Sequence, residues 1–201
     1  MLENLKTLVM AQAREKSFGI TPADVIVSEK MLGIATEIAE AEEIIEEVRQ
    51  EQEAMRLWCR NYDTVHDGKI AMSWLLINSM FDTSPDRSHL LHYESEWGDV
   101  LQRTLHLGGI FEVHFPDDYL RVPARGTHER AEKAYHLAMT ASQHYRKKMI
   151  PEFSNGLIEI SHYCVGVAKA DNFNIERVVL DKIEANKTRV WNPNDLNEQL
   201  I

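Results

Sequence analysis

Apolar residues recur along this chain at the three-and-four spacing of helices, with no sustained strand-like alternation. Between residues 22 and 58, Ile34, Ile38, Ala41, Ile45 and Val48 fall at alternating steps of four and three, which predicts one long helix with a core-facing stripe. Thr21 and Pro22 stand where such a helix would be capped and begun. A first helix is expected over residues 2–17 and a short buried one over 70–81. Another runs from Ser88 to Leu107, with Gly108-Gly109 as its stop and Leu90, Tyr93, Trp97, Val100 and Leu107 on its core side. Residues 112–126, with two prolines and a glycine, read as an irregular connection with room for a short strand or hairpin. Helices over 127–149, from Pro151 to Ala170, and from a capping Asn174 to Arg189 complete the pattern. The expected fold is all-α, a single domain over residues 1–201 with a four-helix core and inserted helices or loops.

Polar residues interrupt these stripes at informative places. Glu37-Ile38-Ala39-Glu40 and Glu96-Trp97-Gly98-Asp99 each set two carboxylates three residues apart on a helix. Glu37 lies about sixty degrees from the centre of its stripe and Glu40 about twice as far. Glu37 therefore sits at the edge of a buried seam, where a carboxylate needs a reason to be. The neighbouring run of Glu42, Glu43, Glu46 and Glu47 has the pattern of a solvated helix face. Glu96 and Asp99 share a face with His92, Arg103 and His106. Gly98 costs about 1 kcal/mol in helix propensity and permits close approach of another helix or a ligand. Two such helices side by side would gather four carboxylates, an arrangement that needs a cation or bound protons. Mg²⁺, with Mn²⁺ as a substitute, is the ion such an all-oxygen set favours. On the last helix Lys182, Asn186 and Arg189 form one polar row, which reads either as a favourable basic helix C-terminus or as a row suited to phosphate.

Composition narrows the function. A net charge of -10, with no long basic run, argues against a nucleic-acid polymer as partner. No apolar stretch is long enough for a bilayer, and the N-terminal residues lack a secretory pattern, so a cytoplasmic protein is expected. Two distant cysteines, Cys59 and Cys164, fit reduced packed thiols. Gly-rich phosphate loops, a serine-nucleophile motif and clustered zinc ligands are all missing from the sequence. Glu159 and His162 form one Glu-x-x-His pair, whereas a ferritin-like di-iron centre needs two such pairs and two more glutamates. Both are expected opposite the apolar stripe of their helix.

The segment Ala35–Ala41, the segment Glu96–Leu101 and the closing helix with Lys182, Asn186 and Arg189 resemble, in that order, the motifs of the all-α nucleoside-triphosphate pyrophosphohydrolases, the MazG-like and dimeric dUTPase-like proteins. About seventy residues separate the second motif from the closing helix, nearer to the dimeric dUTPase-like layout. An alternative alignment places Gly156 and Glu159 at the second motif and loses a carboxylate. The resemblance implies cleavage of a nucleoside triphosphate to the monophosphate and pyrophosphate. It implies Mg²⁺ held by Glu37, Glu40, Glu96 and Asp99, a water-activating role for Glu37 or Glu40, and phosphate binding by Lys182, Asn186 and Arg189. It also implies a homodimer or homotetramer. Two other classes compete: a non-enzymatic helical partner-binding protein, and a ferritin-like carboxylate protein.

Overall fold

The first part of the long helix's stripe is buried as the spacing predicts, with Ile34, Ile38 and Ala41 each at most 1% exposed; Met31 extends it, Ile44 takes the buried place expected of the partly buried Ile45, and the Val48 side chain lies outside the described residues. A computed structural model of the chain describes residues 1–63, 87–116 and 127–188. The predicted 70–81 helix, most of the 112–126 connection and Arg189 lie outside the described residues. Among them the structure is all-helical. The helices are α1 (Leu2–Glu15), α2 (Val27–Asp63), α3 (Arg87–Ile110), α4 (Thr127–Arg146), α5 (Ile150–Ala170) and α6 (Ile175–Thr188).

Four of them close a ring in which α2 packs on α3, α3 on α5, α5 on α4 and α4 on α2. Neighbours run antiparallel. Arg103, late in α3, meets Glu37, early in α2. Trp97 of α3 and Phe111 just past its end meet Tyr163 and Phe153 of α5 in reversed order. Tyr145 at the end of α4 stacks on Phe153 at the start of α5, with ring centroids 5.3 Å apart. A Cβ on Gly156 would stand 2.7 Å from that of Ala141, so the missing side chain sets the close approach of α4 and α5. α5 is the most enclosed helix, since every residue from Ser161 to Ala168 is buried. His162 is accordingly 3% exposed and Glu159 half-buried, not on an outer face as the stripe suggested. The apolar arc of α5 is wide enough to take in the position opposite Leu157 and Cys164.

α1 and α6 both pack on α3, outside the ring. Buried Gln12 ties them: its Nε2 donates to the Ile183 carbonyl at 3.1 Å, and its Oε1 accepts from Gln102 Nε2 at 2.9 Å. Asn174 caps α6 as expected, accepting from the Arg177 amide at 3.0 Å. Pro151 stands in the first turn of α5, also as expected.

Two boundaries differ from the sequence pattern. Residues 21–24 form a turn, not the start of α2. The Asp24 carboxylate accepts the Thr21 amide and hydroxyl at 3.0 and 2.7 Å, which consumes the Thr21 side chain that would have capped a helix. Gly108 and Gly109 do not stop α3. They lie inside it, where added Cβ atoms would strike Phe115 and Met10. The left-handed residue that ends α3 is Glu112, at φ 54°. Val113 donates to the Gly108 carbonyl at 2.7 Å and Glu112 to that of Gly109 at 3.3 Å, a Schellman arrangement. Ser17 and Lys148 end α1 and α4 in the same way.

Candidate functional site

The seam between α2 and α3 carries the charged residues that the stripes left at their edges. α2 contributes Lys30, Gly33 and Glu37 at steps of three and four. α3 contributes Glu96, Asp99, Arg103 and His106 at the same spacing. Glu37 and Glu96 are only 7% and 6% exposed, and one carboxylate oxygen from each of Glu37, Glu96 and Asp99 lies within 4.8 Å of the others. Among the described residues this is the one such group of three metal-type ligands.

Three acids in so small a volume repel one another, and the chain answers that repulsion in two ways. Arg103 reaches from α3 to Glu37, Nη2 to Oε1 at 2.5 Å. Gly33 makes room for it: a Cβ there would stand 2.7 Å from Arg103 Nη1. Lys182 of α6 pairs with Asp99. Gly98 makes room for that, since a Cβ there would stand 2.6 Å from Val178 Cγ1 and hold α6 off. With two full cations spoken for, the third carboxylate is driven toward its protonated form. Burial pushes Glu96 up to about 8, aided by its hydrogen bond to Glu37 and by the charges of Glu37 and Asp99, against the pull of Lys182. Glu96 Oε1 also lies 3.0 Å from His92 Nε2. Two ion pairs and one protonated acid leave the cluster close to neutral.

The structure thus brings Glu37, Glu96, Asp99 and Lys182 together. Glu40, one turn beyond Glu37, is exposed and outside the trio; Asn186 is half-buried on α6, one turn beyond Lys182. Trp97, expected on the core side of its helix, is 1% exposed and belongs to the core. Glu159 and His162 take no part in a three-ligand group. A separate cavity of about 480 Å³ opens on the α4 side of α2, lined by Ile38, Ala39, Glu42, Glu132 and Tyr135.

No family model matches this chain, and no curated protein or solved structure does either.

The all-oxygen trio suits a hard cation such as Mg²⁺, whose binding would release the Glu96 proton and compete with Arg103 and Lys182 for the carboxylates. Sequence reasoning placed Arg103 on the correct face without giving it a partner, and it missed Lys30. The available signal was Gly33, a glycine inside a helix, one turn from Lys30 and one from Glu37. No helix among the described residues is long and apolar enough to cross a membrane.

Proposed function

We propose that this protein is a Mg²⁺-dependent nucleoside-triphosphate pyrophosphohydrolase. What supports this reading is the convergence of Glu37, Glu96 and Asp99, from two segments about sixty residues apart, with Lys182 brought onto the same point by a third helix. Glu37, Glu96 and Asp99 would hold the metal, which when bound supplies charge neutralisation for a triphosphate and its transition state. Arg103 and Lys182, freed from their carboxylates, turn to phosphate oxygens, where charge-assisted contacts are strongest. Asn186 and Arg189 extend the row on the last helix. Glu40, exposed and one turn beyond Glu37, orients or deprotonates the attacking water. The active form is a homodimer or homotetramer in the cytoplasm.

Incubation with Mg²⁺ and each common ribo- and deoxyribonucleoside triphosphate, with the products resolved, tests the reaction. Monophosphate plus pyrophosphate is expected, and Asp99→Asn or Glu40→Gln should abolish turnover while leaving the helical spectrum intact. Absence of cleavage with either Mg²⁺ or Mn²⁺ overturns the proposal.

A second reading is favoured by one observation: every carboxylate of the trio already has a partner within the chain. A buried charge network of that kind serves equally in a non-enzymatic helical partner-binding protein. That reading predicts no Mg²⁺-dependent change in melting temperature.

A further inference from the structure

Two turns at one end of the bundle hold apolar side chains out into solvent. Ile38 of α2 and Tyr135 of α4 line the same cavity, and the two helices run antiparallel. At about 1.5 Å per residue, Ile26 lies about 18 Å before Ile38 and Arg146 about 17 Å after Tyr135, so the start of α2 and the end of α4 come level. α3 ends there too. Phe111, just past it, meets Tyr145 with ring centroids 5.8 Å apart, and His106 Nε2 donates to the Gly19 carbonyl at 2.9 Å. The connection from α1 to α2 and the turn from α4 to α5 therefore share one end of the molecule.

Both turns are fixed by their own hydrogen bonds. Asp24 draws the Ile20 and Thr21 amides and the Thr21 hydroxyl onto one carboxylate oxygen. Lys148, left-handed at φ 60°, donates to the Tyr145 carbonyl at 2.8 Å, and Met149 to that of His144 at 2.9 Å. So held, the turns leave Ile20, Ile26, Met149 and Ile150 between 37% and 59% exposed. These are half of the eight large apolar side chains exposed among the described residues. Single apolar residues on a surface need no explanation, but four on two fixed turns at one end do. The second turn also carries the longest run of cations in the chain, Arg146, Lys147 and Lys148, all exposed.

We propose that this end of the bundle docks on the surface of an anionic lipid bilayer. Ile20, Ile26, Met149 and Ile150 enter the headgroup region, and Arg146, Lys147 and Lys148 face the lipid charges. Cations beside exposed apolar tips are what such a surface selects, since each Lys or Arg near it raises partition about fivefold and each inserted side chain adds apolar burial. The net charge of -10 does not cancel the attraction. The run that starts at Glu42 lies about 24 Å along α2 from Ile26, and Glu37 about 16 Å, both beyond the roughly 8 Å over which exposed charges act at physiological salt. Of the nearer acids, Asp24, Glu29, Glu112 and Glu152 are matched in number by Lys30 and the three cations of the turn. This end is thus close to neutral, with its positive charge gathered on the second turn, and docking is reversible and salt-sensitive. None of Glu37, Glu96, Asp99 or Lys182 takes part, so the proposal stands apart from the hydrolase reading.

Sedimentation of the full chain with large vesicles at low ionic strength tests it. Wild type should bind vesicles of phosphatidylcholine and phosphatidylserine at about 7:3, should bind phosphatidylcholine alone at least tenfold more weakly, and should be released by salt. Lys147→Gln combined with Lys148→Gln should lower the partition about tenfold or more, because two surface cations are lost. Ile26→Ser and Ile150→Ser should each lower it about threefold or more, one from each turn. All four positions are exposed, so the helical spectrum should not change. Lys133→Gln, exposed on α4 about 20 Å from Arg146, should bind as wild type does. No binding to the anionic vesicles overturns the proposal and leaves this end to a protein partner. Equal binding to both vesicles, an equal loss in Lys133→Gln, or binding indifferent to Ile26→Ser and Ile150→Ser also overturns it.

Discussion

Replacing Glu96 with glutamine should reshape the pH dependence of stability. In the folded protein the Glu96 carboxyl is held at about 8, against an ordinary value of 4.5, chiefly by burial and then by Glu37 and Asp99. Between those two values the folded state binds a proton that the unfolded state has lost. Stability attributable to this group therefore falls as pH rises from about 4.5 to about 8, and is level on either side. The free energy at stake is at most about 5 kcal/mol, at about 1.4 kcal/mol per pH unit. Rotation of Glu37 and entry of water when the proton leaves will reduce it, and about 2 kcal/mol is expected in practice. Glutamine has the same shape and no such slope. Urea denaturation of wild type and Glu96→Gln at pH 5, 7 and 9 isolates the effect, because groups common to both proteins cancel. The variant should gain on wild type by about 2 kcal/mol between pH 5 and 9. Two profiles that stay parallel within about 0.5 kcal/mol would refute the argument that the trio is neutralised by a retained proton.

Arg103→Met should cost about 1–2 kcal/mol by chemical denaturation, less than a fully buried pair because the guanidinium is 44% exposed, and saturating Mg²⁺ should restore part of the loss. Gly98→Ala should lower stability by about 1 kcal/mol despite its better helix propensity, since its Cβ meets Val178 of α6. Val178→Ala in the same chain should recover most of that melting temperature; no recovery would mean that α6 does not rest on Gly98. Glu112→Gly should raise stability by about 0.5–1 kcal/mol, because φ 54° suits glycine and strains glutamate.

Much of this architecture was legible in the sequence. The stripe through Ile34, Ile38 and Ala41, the Asn174 cap and the Pro151 start each follow from local rules that tertiary packing did not override. Angular position put Glu37 at the edge of the seam, where the structure buries it, but the expected gathering of four carboxylates is a trio, because Glu40, about twice as far round α2, is exposed. What local rules missed depends on partners distant in sequence. Gly108 and Gly109 read as a stop because glycine commonly ends helices, but Phe115 and Met10 occupy the space that their missing side chains leave. Thr21 failed as a cap because Asp24, three residues on, took its hydroxyl. The burial of His162 could not be read from one stripe, since α5 is enclosed on more sides than its own periodicity reports. The pairing of Arg103 with Glu37 and of Lys182 with Asp99 joins residues more than sixty positions apart, and no spacing rule reaches that far.

The electroneutral cluster has a consequence for how the protein is made. In many small metal-binding domains the ligands repel until the ion arrives, and the ribosome's product waits unfolded for it. Here the guanidinium of Arg103, the ammonium of Lys182 and the retained proton of Glu96 act as an internal counter-ion supply. A chain that carries its own counter-ions should close its core without a bound ion, so its refolding rate in EDTA and in Mg²⁺ should be the same.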